Sequence, residues 1–79
     1  MSQKMLYDKH GRPIAIIDDD GYQLHITVPG KGYVGTVLKK RGGLPAQALA
    51  RGETVGFSDD DEAAITMILL KALLRDLDL

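Results

Sequence analysis

The sequence predicts an α+β fold: a four-stranded antiparallel β-meander followed by a C-terminal amphipathic α-helix packed on one of its faces. Three features lead there. Turn-forming residues recur at short intervals through the first half of the chain. One run between them, Tyr22 to Val28, alternates cleanly between apolar and polar. The last third, SDDDEAAITMILLKALLRDLDL from Ser58, carries apolar residues at helical rather than strand spacing.

The turns set the strands. Asp8-Lys9-His10-Gly11 suits a type I turn followed by a left-handed glycine, and Asp18-Asp19-Asp20-Gly21 repeats that chemistry. Pro29-Gly30 fits the centre of a type II turn, where glycine supplies the positive φ. Strands are therefore expected over Gln3–Tyr7, Arg12–Ile17, Tyr22–Val28 and Gly32–Lys39. Links this short require antiparallel neighbours. In the third strand Tyr22, Leu24, Ile26 and Val28 are expected inward, and Gln23, His25 and Thr27 outward.

Arg41-Gly42-Gly43 ends this pattern. Pro45 then opens a short helix through PAQALAR, which Gly52 stops, and Glu53–Phe57 is expected to be extended. Ser58 is the expected N-cap of the long helix, with Asp61 completing a capping box and Phe57 packing under the first turn. The expected core is Leu6, Ile14, Ile16, Leu24, Ile26, Val28, Val37, Ile65, Ile68, Leu69, Ala72 and Leu73.

That helix carries two apolar stripes. Ile65, Ile68, Leu69, Ala72 and Leu73 fall on one side. Ala63, Met67, Leu70, Leu74 and Leu77 fall on another, with the alternating step of a coiled-coil seam. Only Ala64, Lys71, Arg75 and Asp78 form a narrow strip between them. A helix apolar on most sides needs cover on most sides, and a chain of 79 residues has little to offer. Met67, Leu70, Leu74 and Leu77 are therefore the expected partner-binding residues, and a second copy of the chain is the expected partner.

Composition narrows the class. One small domain, residues 1–79, is expected. There is no cysteine, so neither disulfides nor a thiolate zinc site can staple the fold, and a cytoplasmic setting is expected. No signal peptide is recognisable, and no apolar run is long enough to span a membrane. Net charge is −1, yet residues 1–51 hold eight Lys/Arg against four Asp, and residues 52–79 hold two against seven acids. Acids gathered at a helix N-terminus account for most of that asymmetry.

Gly30-Lys31-Gly32-Tyr33-Val34-Gly35-Thr36-Val37 matches the GxGxxGxV string of a phosphate loop. A dinucleotide fingerprint must open a helix after a strand, whereas these glycines run into Thr36-Val37-Leu38. They read as a turn (Gly30, Gly32) and a bulge or packing gap (Gly35). The stretch Lys31 to Lys39 resembles the KGxxGxV turn-and-strand of KOW modules, small SH3-like barrels of ribosomal and transcription proteins. That resemblance implies RNA or protein binding through a basic loop. Lys31, Lys39, Lys40 and Arg41 would then contact phosphates, and Tyr33 would stack on a base.

No catalytic constellation is legible. His10 and His25 have no fixed partner in the sequence, and Ser2, Thr27, Thr36, Thr54, Ser58 and Thr66 lie in no nucleophile elbow. Asp18-Asp19-Asp20 lacks the spacing of a calcium loop, and Asp59 to Glu62 reads as helix capping. No enzyme, cofactor or metal is expected. The expected function is a small protein-interaction module. By size and class it falls with phage or bacterial regulators and inhibitors of larger complexes, anti-CRISPR-type inhibitors among them. The alternative is an RNA- or DNA-binding module using the basic rim after the fourth strand.

Overall fold

A computed structural model of the chain describes residues 2–77, with side chains described through Leu74. The fold is α+β with an antiparallel sheet and one C-terminal helix, but the sheet has six strands, not four. These are β1 (Ser2–Tyr7), β2 (Pro13–Asp19), β3 (Gln23–Val28), β4 (Gly32–Leu38), β5 (Ala46–Ala50) and β6 (Glu53–Ser58). They lie side by side in sequence order, and α1 (Asp61–Leu77) crosses one face. No pairing of β1 with β6 closes the sheet into a barrel.

Two of the three expected turns form, while the third is displaced: Asp18 and Asp19 stay in β2, and Asp20 N–H donates to the Gln23 carbonyl at 3.1 Å. Gly11 N–H donates to the Asp8 carbonyl at 3.0 Å, and Lys31 N–H donates to the Val28 carbonyl at 2.9 Å across Pro29-Gly30. Gly11 and Gly30 take φ values of 81° and 86°, which glycine alone adopts without strain.

PAQALAR is the main correction, because Ala46–Ala50 is a strand. Arg51 and Gly52 follow it with φ of 54° and 79°, the double left-handed conformation of a tight hairpin turn, and β6 returns. Alanine favours helices only weakly against tertiary context. Here Ala46 and Ala48 lie wholly buried under α1, while Gln47 and Leu49 face away. Gly35 and Gly56 complete this floor of small residues. A Cβ on Gly35 would sit 2.7 Å from Ile68 Cγ2 and 2.6 Å from the Leu49 carbonyl oxygen, and one on Gly56 would sit 3.0 Å from Met67 Sδ.

The core joins Ala15, Ile17, Leu24, Ile26, Val37, Ala46 and Ala48 to Ala64, Ile65 and Ile68. In β2 the expected core positions are replaced by their neighbours: Ala15 and Ile17 are buried, Ile16 faces away from α1, and Ile14 is 43% exposed. Leu6 pairs with Ala15 but Tyr7 pairs with Pro13, so Ile14 is the extra residue of a bulge. The bulge leaves Ile14 on the helix side at the rim of the sheet, beside Val28, Leu69 and Leu73. Tyr22 and Phe57 also lie outside the core. Phe57 pairs with Gln47 on the face opposite α1 rather than packing under it. On the helix, Ala64 is fully buried and Leu73 is exposed. The buried side is therefore rotated toward Ala64 by less than one residue step of about 100°, since the small-residue floor admits a close approach there.

Asp60, not Ser58, caps α1. Its carbonyl accepts Ala64 N–H at 3.2 Å, and its Oδ1 accepts Glu62 N–H at 2.9 Å. Ser58 ends β6, and its Oγ accepts Asp60 N–H at 3.3 Å. Asp61 closes no capping box. Its Oδ1 accepts Lys40 N–H at 2.8 Å and ties the β4–β5 loop to the start of the helix.

Candidate functional site

Against this floor α1 presents Ala64, Ile65 and Ile68, with Asp61 and Ala72 close to the same line. Among the described residues, none covers the opposite side of the helix. Leu70, Leu73 and Leu74 stand there 57%, 60% and 62% exposed. Ala63 and Met67, half-buried, flank them. Three of the four residues expected to meet a partner thus have defined positions: Leu70 and Leu74 on the bare back, and Met67 at its edge above Gly56. The side chain of Leu77 lies outside the described residues. Leu73, assigned to the core from the sequence, joins the exposed group. Beside it a shallow apolar groove of about 150 Å³ runs between Leu69, Ala72 and Leu73 of α1 and Ile14 and Val28 of the sheet.

The face of the sheet away from the helix carries a hydrogen-bonded chain that sequence reasoning missed. Asp20 Oδ1 accepts Tyr22 N–H at 2.9 Å and Gln23 N–H at 2.7 Å, while its Oδ2 lies 3.1 Å from His25 Nε2. His25 Nδ1 lies 3.3 Å from Thr36 Oγ1, and that hydroxyl bonds to the Tyr33 hydroxyl. The two backbone N–H groups, and then the imidazole, hold the Asp20 carboxyl down to about 2. With Nε2–H donating to the carboxylate, Nδ1 can accept from Thr36 and Thr36 can accept from Tyr33. The alternation of β3 puts His25 outward, but its partner Thr36 emerges only from the register His25↔Thr36 between β3 and β4. Thr36 is only 7% exposed, and its hydroxyl holds the Tyr33 hydroxyl in place.

The acidic run Asp18-Asp19-Asp20 is turn and pairing chemistry. Asp18 accepts the Gln3 amide at 3.0 Å. Asp19 accepts Gly21 N–H at 2.8 Å and Lys39 Nζ at 2.9 Å, which lowers the Asp19 carboxyl and raises the Lys39 ammonium. Among the described residues no group of three or more such side chains converges to hold a metal ion.

The residues of the nucleic-acid alternative do not form one surface. Lys31 and Tyr33 stand at the start of β4, where they line a cavity of about 280 Å³ with Arg51 and Lys71. Lys39, Lys40 and Arg41 follow the other end of the same strand, roughly 20 Å away at about 3.3 Å per residue. Lys39 is paired with Asp19, and the Lys40 backbone serves the helix start. The open meander also differs from the barrel that the KOW resemblance implies. Among the described residues no helix is long and apolar enough to cross a membrane. No family model, no curated protein and no solved structure matches the chain.

Proposed function

We propose that this protein is a non-enzymatic interaction module that pairs with a second copy of itself through the back of α1. The carrying observation is the run of Leu70, Leu73 and Leu74, each more than half exposed on one side of one helix. No charged residue lies between Glu62 and Lys71 along that helix. Large contiguous apolar surface is uncommon on a monomer. A two-fold axis beside the helix lays the stripe on its own copy, as isologous dimers require.

The magnitudes favour a weak, reversible dimer. Full burial of a leucine contributes about 1.5–3 kcal/mol, so six leucines each covering about 60% of their surface contribute about 5–11 kcal/mol gross. Association costs at least about 4 kcal/mol in lost freedom. A net of at most about 1–7 kcal/mol remains, so a dissociation constant no tighter than about 10 μM is expected. A surface that self-pairs this weakly can also be taken over by a larger assembly, which is how a regulator or inhibitor of this size would act.

Sedimentation velocity across a wide concentration range tests the proposal, with Leu70→Glu as the variant. The wild type should move toward a dimer as concentration rises, and Leu70→Glu should stay monomeric while keeping its melting temperature. A wild type that remains monomeric throughout, or a variant that associates equally well, refutes it.

A further inference from the structure

All four aromatic side chains of this protein stay out of its core. Tyr7, Tyr22, Tyr33 and Phe57 are 59%, 71%, 60% and 58% exposed, while the interior is built from Ala, Val, Leu and Ile. An aromatic ring is the largest apolar filler a chain has.

Two of them bracket a cleft of about 350 Å³ on the face away from α1. Its floor is a row of cross-strand neighbours: Gln23 of β3, Leu38 of β4, Gln47 of β5 and Phe57 of β6. Tyr22 stands beside Gln23 at one end, and Arg41 and Leu44 rise from the β4–β5 loop over the rim. The row spans three strand spacings of about 4.8 Å, roughly 14 Å in all. Gln23 and Gln47 flank Leu38, each one strand spacing of about 4.8 Å away at the backbone.

The chemistry of this lining is specific. The Gln23 amide makes no side-chain hydrogen bond among the described residues. Gln47 donates Nε2–H to Thr54 Oγ1 at 2.7 Å, which leaves its carbonyl oxygen open. The cleft therefore offers amide donors and acceptors beside Leu38 and Phe57, as the polar edge of a flat heterocycle requires. No carboxylate lines it. Lys39 is neutralised by Asp19, but Arg41 has no ion-pair partner among the described residues. A guanidinium so placed matches a phosphate in two parallel hydrogen bonds. Aromatic faces, amide edges and one unpaired arginine are what a base with its phosphate needs.

We propose that this cleft binds the base-and-phosphate unit of a nucleotide, stacked on Phe57, read by Gln23 and Gln47, and held by Arg41. The unit comes either from a free nucleotide or from an exposed position of a single strand. The site lies on the other side of the sheet from the helix back, so it stands or falls independently of self-association.

The test is a ¹H–¹⁵N chemical-shift titration of the full chain with the four ribonucleoside monophosphates and with single-stranded hexamers of RNA and DNA. Shifts should centre on Tyr22, Gln23, Leu38, Arg41, Gln47 and Phe57. Phe57→Ala should weaken binding about 5- to 150-fold, the loss of one stacked base. Arg41→Ala should weaken it and reduce the salt dependence by about one phosphate contact. Both side chains are exposed, so both variants should fold, and the wild-type spectrum elsewhere verifies that. Equal affinity for monophosphates and hexamers assigns a free nucleotide. At least tenfold tighter hexamer binding with steep salt dependence assigns a single strand. Absence of shifts at millimolar monophosphate and submillimolar hexamer overturns the proposal, as do shifts centred on another surface or retained in Phe57→Ala.

Discussion

Gly35→Ala is the sharpest perturbation of this fold, because one methyl group meets two neighbours that cannot both yield. The new Cβ would stand 2.6 Å from the Leu49 carbonyl oxygen and 2.7 Å from Ile68 Cγ2. The first belongs to the backbone of β5 and the second to a wholly buried helix residue, so either the β4–β5 spacing or the seat of α1 must shift. Overpacking of this kind costs about 1–3 kcal/mol. Replacing glycine recovers about 0.4–1 kcal/mol through the unfolded chain. A net loss of about 1–2 kcal/mol is expected, which lowers the melting temperature of a domain this small by about 4–16 °C. Gly56→Ala is the internal control. Its Cβ meets only the end of the Met67 side chain, with Sδ at 3.0 Å and Cε at 3.6 Å, which is flexible and can turn aside. That variant should stay within about 0.5 kcal/mol of wild type. Thermal and urea unfolding of both, followed by far-ultraviolet circular dichroism, gives the ranking. Equal stability of the two variants, or a Gly35→Ala protein as stable as wild type, would refute the close seating of α1 on β4 and β5.

Two further outcomes follow from the polar contacts. The carboxyls of Asp8, Asp19 and Asp20 sit below their ordinary 3.8 in the folded chain, Asp20 at about 2. Their contribution is in place above about pH 4 and is lost as pH falls through the folded values, so acid unfolding should concentrate between about pH 4 and 2. Asp20→Asn should flatten that dependence, and an unchanged acid profile would count against the Asp20–His25 turn. Lys39 has the opposite sign: raised above 10.5 by Asp19, it contributes fully below that pH and is lost as pH rises through its folded value. At the helix start, Asp60→Ala should cost about 0.5–2 kcal/mol and Ser58→Ala less; chemical denaturation that reverses this order would return the cap to Ser58.

Much of the first half was legible because its punctuation is local. Aspartate–glycine and proline–glycine pairs fix turns by conformational preference alone, and the alternation from Tyr22 to Val28 fixes a face for Leu24 and Ile26. The second half was harder for a physical reason. β5 carries its core positions as Ala46 and Ala48, residues whose small size suits the seat of a helix but leaves no hydrophobic alternation to read. In β2 the run Ile14-Ala15-Ile16-Ile17 is apolar in both phases, so hydropathy does not choose its buried face. On α1 the excess of leucine was legible, but the division between buried and bare sides depended on that same floor, so Ala64 and Leu73 exchanged places. The open-face chain from Asp20 through His25 to Thr36 and Tyr33 was beyond reach, since it joins residues up to sixteen positions apart through the register of two strands. The cleft above Leu38 has the same origin, a row that exists only once four strands are aligned.

The order of the strands has a consequence for how this chain acquires its shape. Every strand docks on the one made just before it, so the closures needed are short, and the entropy lost in each is small. Proteins dominated by such local pairings fold quickly for their size. Only the helix reaches back across several strands, and until it arrives Ala15, Ile17, Ile26 and Val37 have no roof. The sheet can therefore zip up progressively while the closing act, and with it the cooperativity of the whole, waits on α1. Truncation before Asp61 should leave a sticky, exchanging sheet instead of a smaller native state.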